Sequence, residues 1–295
     1  MKKRSADMGL LLVGILWGLG FIFVKIGLNE NMDVFYLLTI RFLGGFAVLF
    51  ALFRKKMKKI TLYDFKAGFM IAAFQVFGYA FQTFGMQLTT ASNNAFFTAI
   101  NVVIVPYIFW FIYKERPNKS TFLASILCVM GVGIMSFDNE MNLTNLNKGD
   151  ILTIISAFFF AAQVAATGYY SERVHTINLV LIQMLIGGFL FLFNLIFISG
   201  IKEIKPLSGM ALVSVIYLTV FSTAIPFLLQ TYFQKWTTST RASIILTTES
   251  LFAPLFAFLM LGEVLTLKVL IGAALILMSV IVSEIKFNNN EVEKI

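Results

Sequence analysis

Charge is scarce in this chain: 13% of its 295 residues are Asp, Glu, Lys or Arg, against 59% that are hydrophobic. Soluble domains carry roughly a quarter charged residues and less apolar material, so this is not the composition of a soluble enzyme. Cysteine is nearly absent. Cys128 stands alone in an apolar block, which excludes an intramolecular disulfide and reads as a small packed hydrophobe. His175 is the one histidine and lies in a polar connector, so no His/Cys-rich metal site is assembled and a solvated loop residue is expected. No GxxxxGK[ST] phosphate loop occurs, and no cofactor is expected.

The apolar residues gather into ten blocks, near 8–28, 34–53, 67–88, 91–113, 119–137, 150–170, 177–198, 211–233, 242–261 and 267–283. Each approaches the ~20 residues that a helix needs to cross a ~30 Å hydrocarbon core. The expected fold class is an all-α integral membrane protein of ten transmembrane helices, with the lipid bilayer as a partner. The connectors are too short to hold a separate catalytic domain. The first block follows a basic start, as a signal peptide does, but it is long and no A-x-A-like cleavage site follows, so it reads as a retained span.

A net charge of +8 raises the question of nucleic acid, and the placement of the basic residues answers it. Lys2, Lys3 and Arg4 precede the first span, Arg54 to Lys66 supplies six more between the second and third, and Lys114, Arg116 and Lys119 follow the fourth. The intervening connectors of the first half have none. This is a topology signal that puts both termini in the cytoplasm, not a nucleic-acid surface. The run from Arg54 to Lys66 also suits contact with anionic lipid.

Internal repetition is the most informative pattern. At a constant offset of 148 residues, Gln82 meets Gln230, Thr89 and Thr90 meet Thr237 and Thr238, Pro106 meets Pro254, and Glu115 meets Glu263. Near the start of each half an offset of 143 sets Asp7 against Asp150 and Trp17 against Phe160. The halves run over 8–137 and 150–284, with five spans each. Five is odd, so the second half enters the membrane from the opposite side and the expected architecture is two inverted five-helix repeats. Secondary carriers built this way hold substrate at the midplane, between the repeats.

The strings WGLGFIFVKIGL (Trp17 to Leu28), TAINVVIVPYIFWFIYKERP (Thr98 to Pro117) and ESLFAPLFAFLMLGE (Glu249 to Glu263) resemble the EamA-type carriers of the drug/metabolite transporter superfamily. The resemblance covers almost the whole chain. It implies ten spans in two EamA repeats, a place in the cell membrane and transport of small metabolites, often amino acids and related compounds, with many members exporting. The first repeat departs from the family pattern: Lys114 precedes Glu115 where the second repeat keeps Gly262 and Glu263. A role shared by the two glutamates does not follow from the resemblance.

Residue by residue, depth singles out a midplane layer. Asn101 lies about nine residues into the fourth span and Glu249 about eight into the ninth, or roughly 12–14 Å deep. Each precedes a proline by five residues, and Pro106 and Pro254 cannot donate to the carbonyls of Val102 and Ser250, so a kink is expected beside each polar side chain. An acid at mid-bilayer costs about 2.5–3.5 kcal/mol on insertion scales, which makes Glu249 a functional candidate by default, with helix locking as the alternative. Asn94, Thr98 and Asn101 form one polar stripe, lining a pathway or bonding a neighbouring helix. Gln75, Gln163 and Thr223 fall in the same layer, and Trp17 lies well below the interfacial belt. The substrate-binding candidates are therefore Trp17, Gln75, Tyr79, Asn94, Thr98, Asn101, Gln163 and Glu249. The charge or coupling candidates are Lys25, Arg41 and Glu249. Lys25 and Arg41 together suit a substrate carboxylate, or else snorkel and pair with Glu30 or Asp33.

The function that follows is secondary active transport of a small-molecule substrate by alternating access, with energy from a substrate or ion gradient. A homodimer is compatible with it. The alternative is a non-transporting membrane sensor or an intramembrane enzyme, although no nucleophile is paired with a base anywhere in the chain.

The basic bias makes a direct prediction. In a Cys128→Ser background, cysteines at Asn31, Asn145 and Lys202 label with an impermeant thiol reagent on sealed cells, and those at Lys58 and Asn118 do not. Labelling at Lys58 would refute the ten-span topology.

Overall fold

The computed structural model describes residues 2–114, 119–136, 147–200, 207 and 209–284. Among them every regular element is helical. In chain order they are α1 Lys2–Asn29, α2 Val34–Phe53, α3 Leu62–Leu88, α4 Ala91–Thr98, α5 Asn101–Tyr113, α6 Lys119–Ser136 and α7 Lys148–Ser171. After these come α8 Thr176–Asn194, α9 Gly209–Thr219, α10 Ile225–Phe233, α11 Ser239–Leu246, α12 Glu249–Leu261 and α13 Leu267–Glu284. Eight helical stretches are long and apolar enough to cross a membrane, and two shorter apolar stretches, Phe122–Gly131 and Leu270–Ser279, lie within α6 and α13.

The starts of these helices are legible in local chemistry. Thr61 and Asp64 form a reciprocal capping box at α3, and Asn147 and Asp150 form another at α7. Asp33 caps α2 by accepting from the Tyr36 amide. Its other oxygen accepts from the Ser199 hydroxyl at 2.8 Å, so Asp33 is not a partner of Arg41. His175 is half-buried at the start of α8 rather than solvated, and burial, with Lys58 and Lys235 nearby, holds its imidazole below the usual range.

The fourth and ninth apolar blocks are each broken, in the same register. Ala91–Thr98 and Asn101–Tyr113 are matched by Ser239–Leu246 and Glu249–Leu261, every boundary displaced by the 148 residues of the sequence repeat. Thr90 and Thr238 supply the N-cap oxygens of the first pieces. At each break the ladder tightens to i→i+3 bonds: Val102 donates to the Ala99 carbonyl, and Ser250 to the Thr247 carbonyl. Pro106 and Pro254 follow within the next two turns, so the expected kink takes the form of a short 3₁₀ segment. Both second pieces end on a left-handed residue, Lys114 at φ 60° and Gly262 at φ 71°.

Packing interleaves the two halves. The first helix of the first half, α1, lies against α11 and α12 of the second, and α7, the first helix of the second half, lies against α4 and α5 of the first. Helix α3 packs on α7 and α8, α2 on α8, and α6 on α13. The α3–α7 crossing is close because both sides are glycine: a Cβ on Gly85 would lie 2.7 Å from the Gly149 carbonyl oxygen, and one on Gly149 would lie 2.6 Å from that of Gly85. An Arg241–Asp7 ion pair at 2.8 Å ties the start of α11 to the start of α1.

The left-handed ends generate a stability prediction. A side chain in that conformation costs about 1 kcal/mol that glycine does not pay. Lys114→Gly therefore raises the thermal unfolding midpoint in detergent, by about 1 kcal/mol of stability, and Gly262→Ala lowers it by a similar amount. Equal midpoints for all three proteins would contradict this account of the two caps.

Candidate functional site

A cavity of about 620 Å³, its mouth included, lies where α1, α2, α3, α7, the α9–α10 stretch and the two broken blocks converge. Its lining brings equivalent positions of the two halves to one space. At the offset of 143 these are Trp17 with Phe160, Gly20 with Gln163 and Phe21 with Val164; at 148 they are Tyr79 with Phe227, Thr98 with Leu246 and Asn101 with Glu249. Most of the wall is apolar. Trp17 meets Phe227 with ring centroids 5.6 Å apart, and Tyr79 meets Phe160 at 5.1 Å, both edge to face.

Asn101 and Glu249 are the first residues after the two helix breaks. Both are nearly buried, at 7% and 6% exposure, and neither side chain is hydrogen-bonded to another described residue. The break is what turns these side chains inward on a shared level, since the register of each second helical piece is reset at the 3₁₀ step. Polar side chains held without a protein partner at such depth are suited to a ligand or to water.

Arg41, on α2, is 3% exposed and lines the same cavity. Its Nε donates to the Thr223 hydroxyl at 2.7 Å, and its Nη2 to the Ser222 hydroxyl at 3.0 Å and the Ser222 carbonyl at 3.3 Å. The guanidinium also sits over the Tyr79 ring, 4.5 Å from its centroid. None of these partners is an acid. Ser222 and Thr223 belong to a π-helical turn, Val220–Ala224, between α9 and α10. That turn loosens the ladder, and the Ser222 carbonyl accepts from the indole Nε1 of Trp17 at 3.1 Å as well as from Arg41. Turns of this kind inside α-helices are frequent at functional sites.

The other candidates divide. Gln163 lines the cavity but donates to the Thr167 hydroxyl and to Gln230 Oε1, at 2.9 and 3.3 Å. Thr98 lines it while accepting from Gln82 Nε2 at 3.0 Å. Asn94 does not line it: its Nδ2 donates to the Gln82 carbonyl and to the Thr153 hydroxyl, which joins α4 to α3 and α7. Gln75 is fully buried away from the cavity, its amide atoms without a partner among the described residues. Lys25 lies outside as well. Its ammonium donates to the Met86 and Thr89 carbonyls at 2.9 and 2.7 Å, closing the C-terminal end of α3. Near it, Glu263 accepts from the Ala91 amide and the Ser92 hydroxyl at the start of α4, and Asp150 accepts from Thr89. Glu115 falls outside the described residues.

Sequence reasoning did not select Gln82, Ser222, Phe160 and Phe227 as lining residues. Gln82 and Phe160 were visible as repeat positions. Ser222 carried no signal, because a π turn has no sequence mark.

The family model of the EamA-like transporter family matches the chain twice, over residues 4–137 and 147–284. The chain belongs to that family. It is 33% identical over 286 residues to an uncharacterized transporter of Archaeoglobus fulgidus, with 97% of this chain and 88% of that one covered. It is 26% identical over 298 residues to a probable amino-acid metabolite efflux pump of Salmonella typhimurium, with 94% and 93% covered. A solved crystal structure shares the fold, with a TM-score of 0.78 at 14% identity over 96% of this chain and 97% of that one.

The lining makes a direct test of the cavity. In the Cys128→Ser background, a small thiol reagent modifies cysteines at Asn101 and Gln163 and leaves one at Gln75 untouched. A transported substrate protects the first two. Equal modification at all three positions, unchanged by substrate, would show that these groups only pack.

Proposed function

We propose that this member of the EamA-like transporter family is a secondary active carrier. It moves a small metabolite, an amino acid or a related compound, across the cytoplasmic membrane by alternating access. Its ten spans are α1, α2, α3, α4 with α5, and α6, followed by α7, α8, α9 with α10, α11 with α12, and α13. The two sets of five are inverted with respect to each other, and both termini are cytoplasmic. The observation that carries this reading is the pairing of equivalent positions from the two halves around one cavity, with the breaks of both fourth spans at its wall. Relative rocking of the halves opens such a site to one side and then the other.

The cavity also fits the substrate class. An apolar, aromatic wall with few polar groups is the usual form of a small-molecule site, and here the polar groups include one cation, Arg41, and one acid, Glu249. The similarity to an efflux pump named for amino-acid metabolites agrees with that pairing and favours export. Glu249 serves either as the carrier of a coupling proton or as the partner of a substrate amine, since its equivalent Asn101 does not titrate. A charge that forms when water enters and is lost when the site closes ties proton binding to the cycle.

The test is uptake into proteoliposomes from a panel of labelled amino acids, sugars and nucleosides, with and without imposed proton and sodium gradients. Saturable flux is expected for at least one amino acid. Glu249→Gln preserves size and expression yet abolishes the pH dependence of that flux, or lowers transport of amine-bearing substrates at least tenfold. Wild-type flux with an unchanged pH profile in the variant would make Glu249 a structural residue. No flux under any condition would overturn the carrier itself in favour of a sensor.

A further inference from the structure

We infer that Arg41 is a fixed anchor for one carboxylate of the transported molecule, and that Ser222 and Thr223, on the π turn, are the residues that position it. The inference rests on the reading of the cavity as the substrate site and narrows what that site accepts.

A guanidinium almost wholly removed from water is retained only if hydrogen bonds and charge compensate it. Arg41 has the hydrogen bonds but not the charge: its protein partners are the hydroxyls of Thr223, Ser222 and Tyr79, a backbone carbonyl and an aromatic ring. It is in no ion pair with a described residue. Asp33, the acid nearest in sequence, is committed to capping α2 and to Ser199.

The way the donors are used is directional. Nε is taken up by Thr223 and Nη2 by Ser222 and the Tyr79 hydroxyl, while Nη1 donates to no described residue. A guanidinium presents five N–H donors in a rigid planar fork, so fixing Nε and Nη2 fixes where the Nη1 donors point. The π turn contributes because it supplies a hydroxyl, a second hydroxyl and a shared carbonyl from two adjacent residues. A regular helix ladder would leave the Ser222 carbonyl less open to Trp17 and Arg41 together. The donors that remain, the two on Nη1, can give a carboxylate oxygen a charge-assisted bond, which is stronger than one to a neutral amide. Lys25, the other candidate cation, is spent on the end of α3.

The probes are pairs that differ only in this group: L-amino acids with apolar side chains, such as L-leucine and L-phenylalanine, and their α-amides. Binding is measured to the full chain in nanodiscs by the thermal shift on titration, and flux in proteoliposomes. The acid of at least one pair binds roughly tenfold or more tightly than its amide in the wild type. Arg41→Gln brings that ratio to about one, and Arg41→Lys, which keeps the charge but not the fork, retains only part of it. Thr223→Val and Ser222→Ala each lower the ratio severalfold by weakening acid binding more than amide binding, whereas a merely structural role would weaken both alike. If Arg41→Gln does not fold, these last two variants and Arg41→Lys carry the test. Acid and amide bound equally, or neither bound by the wild type, overturns the anchor. Flux without acid preference overturns the anchor and keeps the carrier, whereas acid-selective binding without flux keeps the anchor and removes the carrier.

Discussion

In hydrocarbon every backbone N–H and C=O has to find its partner inside the protein, and the architecture of this chain follows from where it departs from that demand. Most of its apolar blocks are helices whose ladders satisfy themselves. One π turn, Leu195–Ser199, closes the α8 block at its end. The other departures inside the blocks, two 3₁₀ steps at Ala99–Ile100 and Thr247–Thr248 and the π turn Val220–Ala224, adjoin the same cavity. Irregular backbone is tolerated there because polar groups inside a bundle find ligand, water or side chains, whereas facing lipid they would find nothing.

The same constraint explains the uneven chemistry of the cavity. Repetition alone would make the two halves equal, and their aromatic walls correspond: Trp17 and its counterpart Phe160 both line the cavity, as do Tyr79 and its counterpart Phe227. Charge is where they differ. Glu249 answers Asn101, and Arg41 comes from α2 with support from α9–α10 of the opposite half. A duplicated scaffold thus provides corresponding walls, and single differences between its halves provide the ionisable groups. Each such group is expensive at this depth, which is why the hydroxyls of Ser222 and Thr223 and the carbonyl of Ser222 are gathered at Arg41.

Away from the cavity, polar residues that look similar in sequence are structural. Asn94 stitches α4 to α3 and α7, Lys25 closes α3, and Glu263 holds the start of α4. The Arg241–Asp7 pair and the Lys25–Glu263 region stand at opposite ends of α1, and each joins elements of both halves. Nearer the Asp7 end of α1, Leu10 and Val13 belong to one buried apolar cluster with Val164, Ile245 and Leu246 of the second half. Helices of the two halves therefore meet through small residues, hydroxyls and short polar ties rather than through a broad charged interface.

The sequence by itself determined the class, the family and the repeat, because block length, scarcity of charge and fixed spacing are properties of the chain that no packing can alter. It also put Trp17, Gln75, Asn101, Gln163 and Glu249 in one layer, since depth follows from rise per residue. Which of the polar residues in that layer share a space was decided only by the tertiary structure. Gln75 has the right depth but the wrong rotation about its helix, and rotation is set by neighbours such as the Gly85–Gly149 crossing; Asn94, two turns before Asn101, bonds Thr153 instead. The partners of Arg41 lie some 180 residues away on a turn that local propensity does not mark. Depth is a one-dimensional quantity that a sequence contains; the direction in which a side chain points is fixed by everything packed around its helix.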